Sequence, residues 1–154
     1  FTGKAKVMPI KGMGNVKKAI VKTKADSGLK LYAIFFDGGS KIIKETPVDT
    51  GRTRNSWFVT QGQPSSISSA RSEDKSGSGS LSSLNTMPSN VLNNKIYIAN
   101  NMPNIIPLEF GGYPNPSKGD KTSGGYSKQL IPFNTPKGWV RSNVIRMANK
   151  VRSL

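Results

Sequence analysis

Apolar and small residues recur along the first third of the chain at the spacing of a single helix. Val16, Ile20, Thr23, Ser27, Leu31, Ile34 or Phe35, Gly38 and Ile42 fall three or four positions apart, with lysines between them. Residues 15–45 are therefore predicted to form one long helix with Asn15 as its N-cap. Small residues at 27, 28, 38 and 39 would let another segment come close, and Gly38-Gly39 is the expected place for a kink. Pro47 disfavours helical geometry at Thr46 and ends the helix there. From Thr53 to Thr60, with Trp57, Phe58 and Val59, the pattern shortens to that of a strand, and two more strands are expected at Lys95–Ala99 and Ile105–Phe110. A last helix is expected from Gly138 to Val151. Val140, Val144, Met147 or Ala148, and Val151 form its apolar face, with Arg141, Arg146, Lys150 and Arg152 mostly elsewhere. The fold class this predicts is α+β: an antiparallel sheet packed against a long N-terminal helix and a C-terminal helix, in one domain spanning 1–154 with long loop insertions.

The two insertions differ in character. Residues 61–94 are rich in Ser, Gly and Asn, including Ser76-Gly77-Ser78-Gly79-Ser80, and read as a flexible linker or hairpin extension. Such a segment has little apolar surface to offset the cost of fixing its backbone. It is accordingly expected to work as an arm against a neighbouring subunit, anchored by Leu81, Leu84, Met87, Val91 and Leu92; the rival reading folds it onto its own domain. Residues 111–136 form a second loop, rich in Gly, Pro and Lys.

Composition sharpens this picture. Only 34% of residues are hydrophobic, and 16 glycines and 10 prolines leave much of the chain to loops. A small core beside long loops suggests a subunit that gains stability from its neighbours. The net charge is +15, concentrated at the ends: residues 1–60 hold 12 basic and 4 acidic side chains, and residues 117–154 hold 8 and 1. That favours partners with negative surfaces, nucleic acid or acidic protein. With no Cys and no His, disulfides, thiol nucleophiles, Cys/His zinc sites and His-based catalysis are excluded. No apolar run approaches membrane-spanning length, so no membrane partner is expected, and residues 1–11 lack the apolar core of a signal peptide.

One motif carries more information than composition. Thr46-Pro47-Val48-Asp49-Thr50-Gly51-Arg52-Thr53-Arg54-Asn55-Ser56-Trp57 reads as a turn leading into an aromatic strand. Pro47 fixes its own φ, Asp49 can accept a backbone N–H two residues on, and Gly51 can adopt positive φ. A second element, Pro107-Leu108-Glu109-Phe110-Gly111-Gly112, lies before the second loop. The order of long helix, Pro-Val-Asp-Thr-Gly-Arg turn, Ser56-Trp57, Leu-Glu-Phe-Gly and C-terminal helix resembles the tail-completion or minor tail-component proteins of lambdoid and related tailed phages. The match spans about Val16 to Val151, and the 61–94 insertion is long for that family. The resemblance implies a structural virion protein of the phage neck, joining head to tail or completing the tail. It implies a homo-oligomeric ring, a hexamer in preference to a dodecamer, against adjoining neck, tail-tube or connector proteins, assembled in the host cytoplasm. The alternative is a basic nucleic-acid-binding protein of ribosomal or nucleoid type.

Each candidate residue also has a plainer role open to it. Asp49, Gly51 and Arg52 suffice as a local turn, although an inter-subunit ion pair would use the same residues. Glu109 is expected either to pair with Arg52 or Arg54 across the sheet or to stand exposed at a strand end. Lys17, Lys18, Lys22 and Lys24 are candidates for a polyanion contact, including non-specific DNA contact, or for acidic neighbours. Gly12-Met13-Gly14 lacks the spacing and the preceding strand of a phosphate loop. The adjacent acids Glu73-Asp74 lie in a Ser-rich loop and not on the rigid elements a two-carboxylate hydrolase needs. No catalysis, cofactor or metal is expected.

Overall fold

In the computed structural model, residues 12–110 and 138–154 are described. The fold is α+β, and the long N-terminal helix, a two-stranded antiparallel sheet and the C-terminal helix pack together.

The first helix, α1 (Met13–Glu45), begins two residues earlier than its pattern predicts, and its N-cap is Gly12, not Asn15. At about 1.5 Å per residue its 33 residues extend roughly 50 Å. It runs through Gly38-Gly39 as one element, and the glycines serve packing: a Cβ on Gly38 would lie 2.0 Å from the Met147 sulfur. Pro47 follows, and Thr46 leaves the helix at ψ 128.

The strand predicted from Thr53 is partly a helix. Gly51 opens a single turn, α2 (Arg52–Asn55), and the strand β1 (Phe58–Gln61) starts only afterwards. Local side-chain bonds explain this, since the Ser56 hydroxyl donates to the Arg52 carbonyl at 2.7 Å and closes the turn. β1 pairs with β2 (Ile96–Ala99) in the register Phe58↔Ala99 to Gln61↔Ile96.

Segment 61–94 is no free arm. It contains α3 (Ser78–Asn85), and Leu84, Met87 and Val91 are buried, with Leu84 and Met87 inside the main core. Leu81 packs against that core, whereas Leu92 is exposed, with its Cδ1 3.5 Å from the position of a Cβ on Gly28. The serines make this possible. The Ser80 and Ser83 hydroxyls accept the amides of Trp57 and Val59, each at 2.9 Å, so backbone order is gained with little apolar area.

The third expected strand is a helix, α4 (Ile105–Phe110). Ile105, Leu108 and Glu109 turn inward at helical spacing. Pro107 removes a donor that a strand would use but that the first turn of a helix leaves idle. The last helix, α5 (Trp139–Arg152), buries Trp139 and Asn143 and packs Met147 on α1. Of the apolar face predicted, Val140 and Met147 pack against the core, whereas Val144 and Val151 are exposed. Gly111 and the loop at 111–136 lie outside the described residues.

The core joins Ile42 and Ile43 of α1, Trp57, Val59, Leu84, Met87, Leu108 and Trp139. Both indoles also find acceptors: Trp57 Nε1 donates to Thr46 Oγ1 at 2.9 Å, and Trp139 Nε1 to the Ile42 carbonyl at 3.1 Å.

Candidate functional site: a clamped turn and a projecting basic helix

The turn motif is held by the serine-rich segment behind it. Gly51 has φ +92, and a Cβ there would lie 2.3 Å from the Asp74 carbonyl carbon, so only glycine fits on two counts. Arg54 clamps the two sides. Its Nε and Nη2 donate to the Thr46 carbonyl at 3.1 and 2.8 Å, and Nη1 donates to the Lys75 carbonyl at 2.8 Å. Asn55 does the same with an amide: Oδ1 accepts from Gly79 N at 2.7 Å, and Nδ2 donates to the Ser72 carbonyl at 3.0 Å. Arg71 donates to the carbonyls of Asn55 and Trp57 and stacks over Phe58 at 4.1 Å.

Asp74 organises the loop facing Gly51. Its carboxylate accepts the amides of Ser76 and Ser78, at 2.8 and 2.9 Å, and both hydroxyls. Those bonds, the Ser76 hydroxyl foremost, hold its carboxyl well below the usual carboxylate range.

Of the motif residues, Pro47, Gly51, Ser56 and Trp57 are buried, Val48 is half-buried, and Asp49, Thr50 and Arg52 face solvent. Arg52 meets Glu73 of its own chain at 3.6 Å, an exposed pair worth little. Glu109 contradicts both expectations held for it. It is buried, and it pairs with neither Arg52 nor Arg54. Its two oxygens accept the amides of Val140 and Arg141 at 3.0 Å, and Arg141 Nε donates to it at 3.1 Å. Sitting at the start of α5, the carboxylate satisfies idle N–H groups and complements the helix dipole. Phe110 is exposed, with the Arg141 guanidinium 4.6 Å above its ring.

The motif and the candidate lysines are not brought together. Lys17, Lys18, Lys22 and Lys24 all lie on the first half of α1, where every residue from Gly12 to Asp26 is exposed. Among the described residues none of the four has a carboxylate partner. Between α1, α3 and the sheet lies a partly open apolar recess of about 240 Å³, lined in part by Phe35, Leu84, Met87, Ile96, Ile98 and Met147. Among the described residues no group of three acids is placed to hold a metal. Sequence reasoning missed Arg71 and Trp139, although an aromatic at the first position of the last helix was a readable core signal. No known protein family, characterised protein or solved structure matches the chain.

Proposed function

We propose that this chain is a non-catalytic structural subunit of a tailed-phage neck, which completes the tail or joins it to the head by assembling with copies of itself into a ring. The supporting observation is the Pro47–Trp57 motif, which resembles that family and forms a rigid turn around Gly51. Arg54 and Asn55 lock that turn to the segment at 72–79. Large apolar side chains left in solvent on α1, α4 and α5, among them Leu29, Ile106, Phe110 and Ile145, suit a subunit whose neighbours complete its burial. Light scattering and negative-stain electron microscopy of the purified chain test the reading: closed rings of six, or of twelve, are expected. A monomer throughout the micromolar range would sink it. Lys17, Lys18, Lys22 and Lys24, without a carboxylate partner among the described residues, favour a second reading, a basic nucleic-acid-binding protein, which predicts duplex binding that weakens steeply with salt.

A further inference from the structure

Among the described residues none packs over the first half of α1. Met13 to Asp26 cover about 21 Å at about 1.5 Å per residue, and all are exposed. An isolated helix of that length is marginal in water. Gly14 and several β-branched residues weaken this one further, as does the lack of an acid in its first turn or a side-chain cap.

Its surface is patterned. Met13, Val16, Ile20, Thr23 and Ser27 repeat at intervals of three and four, the seam of a two-stranded coiled coil. Met13, Val16 and Ile20 are 47, 58 and 50% exposed. The Thr23 hydroxyl is spent on the Ala19 carbonyl at 2.9 Å, which leaves its methyl for the seam. Lys17 and Lys24 follow the first residue of each heptad by four positions, at the flank where coiled coils place ion pairs.

Charge decides the occupant. Lys17, Lys18, Lys22, Lys24 and Lys30 are offset locally only by Asp26. A second copy of this chain has little to offer them. Asp37 is taken by Lys41 and Lys150, Glu45 by Arg146, Glu73 by Arg52, Glu109 by Arg141 and Asp74 by two serines. Among the described carboxylates only Asp26 and Asp49 are left without such partners. Nucleic acid would satisfy the lysines but leave the apolar seam beside phosphates. We propose that the free half of α1 is a docking helix for an acidic amphipathic helix of a different protein, apolar seam against apolar seam, with carboxylates facing Lys17 and Lys24. This stands apart from the neck reading, because it rests on the helix and not on the turn motif.

The test uses the full chain and a fluorescent three-heptad peptide with Leu at both seam positions and Glu at both flanks, followed by anisotropy at low salt. Saturable binding is expected. Ile20→Asp should weaken it by at least about tenfold, and the pair Lys17→Glu, Lys24→Glu should do the same while gaining affinity for a peptide whose Glu are replaced by Lys. An unchanged melting temperature for these exposed variants shows that the fold persists, and ring assembly should be unaffected by them. The proposal is overturned if the acidic peptide does not bind, or if a version with Ser in place of Leu binds equally well. It is also overturned if a short DNA duplex or phosphatidylglycerol vesicles compete more tightly, or if Ile20→Asp abolishes self-association, which would make a second copy the occupant.

Discussion

At Gly51 two constraints coincide. A positive φ excludes most side chains, and the Asp74 carbonyl occupies the place of a Cβ. Gly51→Ala should therefore lose about 2–4 kcal/mol, combining left-handed strain with overpacking, as read by urea denaturation. The positive φ was legible from Gly51 in a turn after Pro47, although the expected Asp49 bond is not formed and the Thr50 hydroxyl accepts the Arg52 amide at 3.4 Å instead. The partners of Glu109 were not legible, because they are backbone amides more than thirty residues onward on an element whose placement depends on the whole fold. Asp74 gives a pH signature. Its folded carboxyl lies below the usual 3.8, so its stabilisation is complete above that value and is lost as pH falls through the folded pKa. Asp37 is lowered likewise, by Lys150 first and Lys41 second, and adds in the same sense. Asp74→Asn should lower the melting temperature at neutral pH, and the gap from the parent chain should narrow below about pH 4. A constant gap down to pH about 2 would mean that charge on Asp74 does not matter.

Among the elements, those written in a single period were the readable ones: α1, β2 and the extent of α5. The misread elements share a cause. Ile105–Phe110 was too short for period to decide between strand and helix, and Pro107 was the overlooked arbiter. For α3, composition pointed to a linker because Ser and Gly carry no apolar signal. Yet Ser80 is fully buried and Leu84 nearly so, and hydroxyl-to-backbone bonds supply what apolar area does not. The consequence can be measured. Deleting residues 72–84 removes Asp74, Ser80, Ser83 and Leu84 together and should leave no cooperative thermal transition. A deletion variant that still melts cooperatively near the parent temperature would restore the arm reading. Trp57 is 4% exposed beneath α1 and α3, and Trp57→Ala should cost about 3–5 kcal/mol. Loss of soluble protein, or a large fall in the denaturation midpoint, is the expected result.

For the whole molecule, charge and architecture point in different directions, and both were visible early. Among the described residues most of the basic excess sits on α1 and α5, and the core is small and built from residues far apart in sequence. The expectation of neighbours came from the low hydrophobic share; large apolar residues are exposed on three helices. The neck proposal rests on the Pro47–Trp57 motif, whose residues also have sufficient local roles in the turn. One feature of the sheet bears on how such a chain behaves when crowded with its copies. A two-stranded sheet rich in Ile, Tyr and Val is a template for fibre growth wherever its outer backbone groups are free. On the β1 side three of those groups are occupied: Trp57 N by Ser80, Val59 N by Ser83 and the Trp57 carbonyl by Arg71. The serines thus act as a seal against polymerisation, and growth by strand addition there would first require α3 to be torn away. Ser83→Ala frees only the Val59 amide and loosens the hold of α3 on that edge. In a shaken, concentrated sample its thioflavin T signal should rise before that of the parent chain, together with a modest fall in melting temperature from the lost bond.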